Sequence, residues 1–182
     1  MGAKLLYPDG KILEAEKGKK LGEFLNEIYL CGKIGNKIVD FSYEIKGDEE
    51  IIICDFETEE GKYSFWHTSS HILANAVKEI FPEAKLGIGP PVENGFYYDF
   101  YVEKPFTEED LKKIEEKMKE IIKRNEELER IEIDYEEAKK IFSEKKENFK
   151  IELIEEIKDE KITIYKNGNF IDLCKGPHVK NT

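Results

Sequence analysis

The chain has 182 residues, 40% of them hydrophobic, with a formal net charge of −11. That length suits one medium or two small globular domains, and no apolar run approaches the roughly 20 residues that cross a bilayer. The acidity excludes nucleic-acid binding through a bulk positive field, since phosphate contacts depend on Lys and Arg; any RNA contact must be local.

In chain order, Lys4 to Tyr7 and Lys11 to Ala15 read as strands joined by the turn Pro8-Asp9-Gly10. Leu21, Phe24, Leu25 and Ile28 fall at helical spacing and predict a helix. Lys33 to Asp40 reads as two short strands around Gly35-Asn36, and Glu50 to Cys54 as a buried closing strand. This order of elements is that of a ubiquitin-like β-grasp. Glu57 to Lys62 is polar, carries a glycine, and is expected to link residues 1–60 to a second domain, 61–182.

Ser64 is expected to cap a helix that runs to Phe81 and stops at Pro82. Its apolar face carries Ile72, Leu73, Ala76, Val77 and Ile80, while His67 and His71 superpose on the opposite face with Ser64, Asn75 and Lys78. A Gly-Pro loop over 87–91 and the turn Asn94-Gly95 lead into an aromatic strand, Phe96 to Val102. Thr107 and Asp110 form an approximate capping box for a helix through Leu111, Ile114, Met118, Ile121 and Ile122. Ile131 and Ile133 predict a strand, and Asp134 with Glu137 a helix through Ala138 and Ile141. Lys161 to Tyr165 and Phe170 to Leu173 complete a hairpin about Asn167-Gly168, so Cys174 leaves a strand end and His178 lies beyond it. The second domain therefore reads as α+β, with helices packed on an antiparallel sheet. The Glu/Lys alternation between Glu103 and Glu160 reads as solvated helix face.

The chain has three histidines, and all lie in two motifs of one shape, His67-Thr68-Ser69-Ser70-His71 and Cys174-Lys175-Gly176-Pro177-His178. Imidazoles at i and i+4 can converge on one ion or one water. With Cys174 and His178 they make one thiolate and three imidazoles, a donor set that suits zinc, structural if all four bind and catalytic if one position stays open. By strand alternation Asp172 shares the side of Cys174 and could orient an imidazole, although simple solvation accounts equally for a lone strand Asp or for Lys150. Cys31 and Cys54 read as reduced, small core residues in a chain whose three cysteines make no disulfide framework.

Trp66 to His71, Ile88-Gly89-Pro90-Pro91, Asn94-Gly95-Phe96-Tyr97-Tyr98-Asp99 and Asp172-Leu173-Cys174-Lys175-Gly176-Pro177-His178 resemble, in order, the N-terminal region of bacterial-type threonyl-tRNA synthetases. Residues before Gly61 look like that family's TGS domain, a β-grasp module. The resemblance implies a following editing domain that hydrolyses serine mistakenly esterified to threonine tRNA. It implies a pocket of His67, His71, Cys174 and His178, assisted by Lys150 and Asp172, with Tyr97 and Tyr98 toward the terminal adenosine. It also implies tRNA and the remaining synthetase domains as partners and a full-length homodimer. A cytoplasmic location without membrane is expected because no apolar run spans a bilayer and Met1 to Pro8 lacks a signal-peptide core. The editing domain is expected to be incomplete at its C-terminus. Nothing resembles an ATP site, so this region is expected not to use ATP. The same His/Cys pattern resembles alanyl-type editing domains, which bind zinc there. A non-catalytic RNA- or protein-binding module held by zinc is the alternative from another class.

Overall fold

A computed structural model of the protein describes residues 2–157 and 161–182. The chain forms two compact units, residues 1–68 with 176–181, and residues 69–175 with 182. Among the described residues the fold is mixed α+β with four α-helices, none long and apolar enough to cross a membrane.

The first unit is built on a five-stranded sheet. β1 (Ala3–Leu6) pairs antiparallel with β2 (Ile12–Ala15), and β3 (Cys31–Ile34) with β4 (Lys37–Val39). β5 (Glu50–Cys54) lies between β1 and β3, parallel to the first and antiparallel to the second, giving the order β2-β1-β5-β3-β4. Alternation along the strands buries Ala3, Leu5, Ile51 and Ile53 and leaves Ile52 outside; the buried set packs on Leu21, Leu25 and Ile45. Cys31 and Cys54, both buried and free, face each other across β3 and β5.

The helix predicted from Leu21 to Ile28 is a single 3₁₀ turn, Leu21–Glu23. Leu21 and Leu25 are buried as the spacing requires, and the N–H groups of Leu21 and Gly22, which a helix starting here would leave without an internal partner, bond to the carbonyls of Tyr43 and Phe41. The Asn26 carboxamide then accepts the N–H of Ile28 at 3.1 Å, a local bond that competes with helix continuation. Ile28 is exposed.

α1 (Glu59–Ile80) is 22 residues long and starts five residues before Ser64. Its opening is set by Thr58, whose Oγ1 accepts the N–H of Gly61 at 3.1 Å, with Glu59 and Glu60 favourably placed in the first turn. The stretch expected as a linker is thus mostly helix. Gly61 is there because a Cβ would lie 1.8 Å from the carbonyl oxygen of Asp55, a demand of packing. Ser64 is buried inside the helix and donates to the Glu60 carbonyl at 3.0 Å.

In the second unit, the apolar side of α1 (Ile72, Ala76, Val77) packs on Ile114 and Ile121 of α2 (Glu108–Arg124). Before α2 come two short ladders, β6 (Lys85–Leu86) with β9 (Phe100–Tyr101) and β7 (Pro91–Val92) with β8 (Gly95–Phe96). The expected aromatic strand is therefore split. Pro90 and Pro91 have no N–H to extend the β7 ladder, and the chain changes partner at Asp99, whose N–H bonds to the Ile88 carbonyl at 2.9 Å. The capping box at Thr107 and Asp110 is present in both directions, but the buried stripe of α2 is narrower than predicted, since Leu111 and Ile122 are exposed.

β10 (Glu129–Ile133), β11 (Ile162–Asn167) and β12 (Phe170–Leu173) form an antiparallel sheet in that order. α3 (Tyr135–Glu144), capped by Asp134, and α4 (Asn148–Glu156), which the sequence reading missed, share a core with this sheet through Ala138, Phe142, Ile154, Ile162 and Ile164.

Candidate functional site

α1 is amphipathic in an unusual sense: its polar side is buried too. Ser64, His67, Thr68, Ser70, His71 and Asn75 are each less than 9% exposed, so the histidine pair does not face open water. Burying so many polar groups is tolerable only when each finds a partner. His67 Nδ1 lies 3.0 Å from the Pro177 carbonyl oxygen. A carbonyl only accepts, so this nitrogen carries the proton and Nε2 is the basic nitrogen of neutral His67. The ring of His178, 1% exposed, stacks on that of His67 with centroids 4.2 Å apart and planes 28° apart.

A second polar group gathers around β12. Alternation puts Asp172 on the side away from Ile171 and Leu173, where its carboxylate is almost completely buried. Lys150 Nζ lies 2.7 Å from Asp172 Oδ1, Tyr98 donates its hydroxyl to Oδ2 at 2.6 Å, and His71 Nε2 is 3.6 Å from Oδ2. Lys150 also donates to the Tyr98 oxygen at 3.1 Å. Burial pushes the Asp172 carboxyl up, but the charges of Lys150 and His71 and the hydrogen bonds from Lys150 and Tyr98 outweigh it and hold it below its ordinary value. Burial, then the Asp172 charge and hydrogen bond, drive the Tyr98 phenol well above its ordinary value, so Tyr98 stays a donor.

Lys150 is delivered by α4, and α4 is anchored by Glu147. This buried carboxylate accepts the N–H of Leu86 at 2.8 Å through Oε2 and pairs with Lys78 at 2.7 Å through Oε1. Glu147 has no signal in the sequence, where it is one glutamate in an acidic helical tract. Lys78 could be placed on the histidine face of α1 from spacing alone, but its partner could not. Gly89 supports the same network from behind: a Cβ there would lie 2.1 Å from the Tyr98 ring. Tyr97 is exposed, whereas Tyr98 is buried with its ring stacked on Phe100 at 5.0 Å, so the two tyrosines are in different surroundings.

Cys174 is half-buried and bonds through its N–H to the Thr163 carbonyl at 3.1 Å. Together with the histidines it makes a group that could hold a metal ion: the ligand atoms of His67, His71, Cys174 and His178 lie within 4.8 Å of one another. Around tetrahedral zinc, ligand atoms are separated by about 3.4–3.8 Å, given bonds of about 2.1–2.3 Å. The donor types fit zinc.

Comparison with known proteins bears on this site directly. The family described as the threonyl and alanyl tRNA synthetase second additional domain matches residues 162–182, the stretch that contains Asp172, Cys174 and His178. The threonine–tRNA ligase of Caldanaerobacter subterraneus is 50% identical over 182 aligned residues, covering 96% of this chain and 28% of the relative. The chain is homologous to part of threonine–tRNA ligases. The enzyme of Acetivibrio thermocellus is 45% identical over 98% of this chain and 29% of its own length, and that of Clostridium tetani 47% identical over 96% and 28%. The chain thus spans less than a third of the length of these relatives.

Proposed function

We propose that this region edits: it hydrolyses serine mistakenly esterified to threonine tRNA, with residues 1–60 as a TGS-like β-grasp module and 61–182 as the editing part. What carries the reading is the clustered His/Cys group, two of whose members, Cys174 and His178, fall in the segment matched by the synthetase additional-domain family. The β-grasp assignment is supported by the sheet order of the first unit and its parallel β1/β5 pair.

The chemistry is one ester hydrolysis. Water adds to the ester carbonyl, the bond to the ribose oxygen breaks, and that oxygen leaves as a hydroxyl. A base must take a proton from the water, and His67, whose basic nitrogen is Nε2, is the first candidate. Asp172, kept ionised by Lys150 and Tyr98, stabilises positive charge on His71 at 3.6 Å. Serine lacks one methyl of threonine, and such a difference is worth only about 1–3 kcal/mol in a single pocket, which is why a second, smaller site is needed.

The test is release of serine from seryl-tRNA for threonine, followed with this chain and with a complete threonine–tRNA ligase that contains it. His67→Gln should slow the reaction about 100- to 10,000-fold in the protein that is active. Absence of serine release from both proteins would reject editing. Activity on mischarged alanyl-tRNA that disappears on chelation would favour the alanyl-type, metal-using alternative, for which the four clustered donors are the supporting observation. Metal binding without hydrolysis would favour a non-catalytic module.

A further inference from the structure

Thr68 is 2% exposed and sits between the two histidines of α1. Its hydroxyl has one proton and three close neighbours: the Ser64 carbonyl oxygen at 2.9 Å, the Val179 amide nitrogen at 3.0 Å and His178 Nδ1 at 3.1 Å. Two oxygens at 2.9 Å attract only with a proton between them, and a carbonyl has none to give, so the hydroxyl proton goes to Ser64. The Val179 N–H fills one lone pair of Oγ1. The remaining lone pair meets His178 Nδ1, and that contact is attractive only if Nδ1 brings the proton.

We infer that Thr68 is a positioning residue that fixes His178 in the Nδ1–H tautomer and so makes Nε2 its basic nitrogen. The Pro177 carbonyl imposes the same tautomer on His67 at 3.0 Å, and the two rings stack at 4.2 Å. The site therefore holds a matched pair of imidazoles, each with its proton turned to a fixed protein acceptor and its lone pair on the other nitrogen. Either ring in the opposite tautomer would present a donor where hydrolysis requires an acceptor. The effect of Thr68 on rate rests on the editing reading; the tautomer does not.

Nitrogen-15 NMR of the histidine rings in the metal-free chain tests this, and three histidines give three resolvable ring patterns. Wild-type His178 should show a protonated Nδ1 and a bare Nε2; the reverse pattern overturns the inference without any variant. Thr68→Val keeps the shape and removes the hydroxyl. It should turn His178 into a mixture of tautomers and slow serine release by about 10- to 100-fold, the usual loss when an outer partner of a site imidazole is removed, while Thr68→Ser should restore both. An unchanged ring spectrum in Thr68→Val, or a changed spectrum with an unchanged rate, would overturn the positioning role. If the wild type releases no serine, the editing reading falls and the ring spectrum still decides the tautomer.

Discussion

Replacing Lys150 with methionine removes a buried charge while keeping most of its volume. The Asp172 carboxylate is left in a nearly closed site with the Tyr98 hydroxyl at 2.6 Å and His71 at 3.6 Å as compensation. Breaking a buried pair in this way costs about 3–5 kcal/mol. The two surviving partners place the cost at about 3 kcal/mol, the low end of that range. The carboxyl also has an escape by taking up a proton, which from an unfolded pKa of about 3.9 costs about 4 kcal/mol at pH 7 and bounds the penalty. In the variant the folded-state pKa lies above the unfolded one, whereas the wild-type carboxyl is held below its ordinary value, so the penalty is largest at neutral pH, shrinks as pH falls, and vanishes only once the wild-type carboxyl is itself protonated. For a chain of this size about 3 kcal/mol corresponds to a melting temperature lower by roughly 6–12 °C. Urea denaturation at pH 7 and pH 5 measures it. A variant within 1 kcal/mol of wild type at pH 7, or a penalty independent of pH, would refute this account of the network. Replacing the whole set, Lys150→Met with Asp172→Leu and Tyr98→Phe, should recover most of the stability, because an apolar substitute avoids desolvating charge. It should not recover hydrolysis, which would identify the pair as serving chemistry more than folding.

Three further outcomes follow from local geometry. Gly89→Ala places a methyl 2.1 Å from the Tyr98 ring and should destabilise by about 1–3 kcal/mol in denaturant titrations, with Tyr98 displaced from Asp172. Thr58→Ala removes the cap that receives the Gly61 N–H and should cost about 0.5–2 kcal/mol, measured the same way; a neutral result would show that α1 is not held at Thr58. Burial, with the Glu49 hydrogen bond and charge, pushes the Tyr43 phenol up to about 12. Its stabilising contribution is therefore complete below about pH 10 and lost as pH rises through the folded value, and Glu49→Gln should shift the phenolate absorbance titration of this residue downward.

The parts of this structure that were legible in the sequence are those governed by short-range rules. The hairpins at Pro8-Asp9-Gly10 and Gly35-Asn36, the cap at Thr107 and Asp110, and the one-turn spacing of His67 and His71 each involve a few neighbouring residues. The errors arose where bonds outside the predicted element took over. Leu21 to Ile28 has helical spacing, but the Asn26 carboxamide takes the Ile28 N–H that a helix would have turned back along its own axis. Glu57 to Lys62 read as a linker partly for its glycine, because a sequence cannot show the Asp55 carbonyl that Gly61 must avoid. At the site, the residue types of the two motifs could be read off, but the burial of Lys150 and Asp172 and the anchoring role of Glu147 could not. Those depend on residues 22 to 74 positions apart meeting at Tyr98, Lys150 and Asp172.

The same separation sets an order of assembly. α4 is nine residues long, too short to persist alone, and its lysine has no reason to leave water until a carboxylate is waiting. That carboxylate is on β12, the outer strand of the hairpin with β11. Until β12 pairs, driving Lys150 inward would strand a charge; afterwards the lysine, the tyrosine and the histidine close on one acceptor. Contacts of this kind pay loop-closure entropy first and are rewarded late, so the site should form among the last events of folding. A newly made chain would therefore hold its first strands and the length of α1 before Lys150 met Asp172.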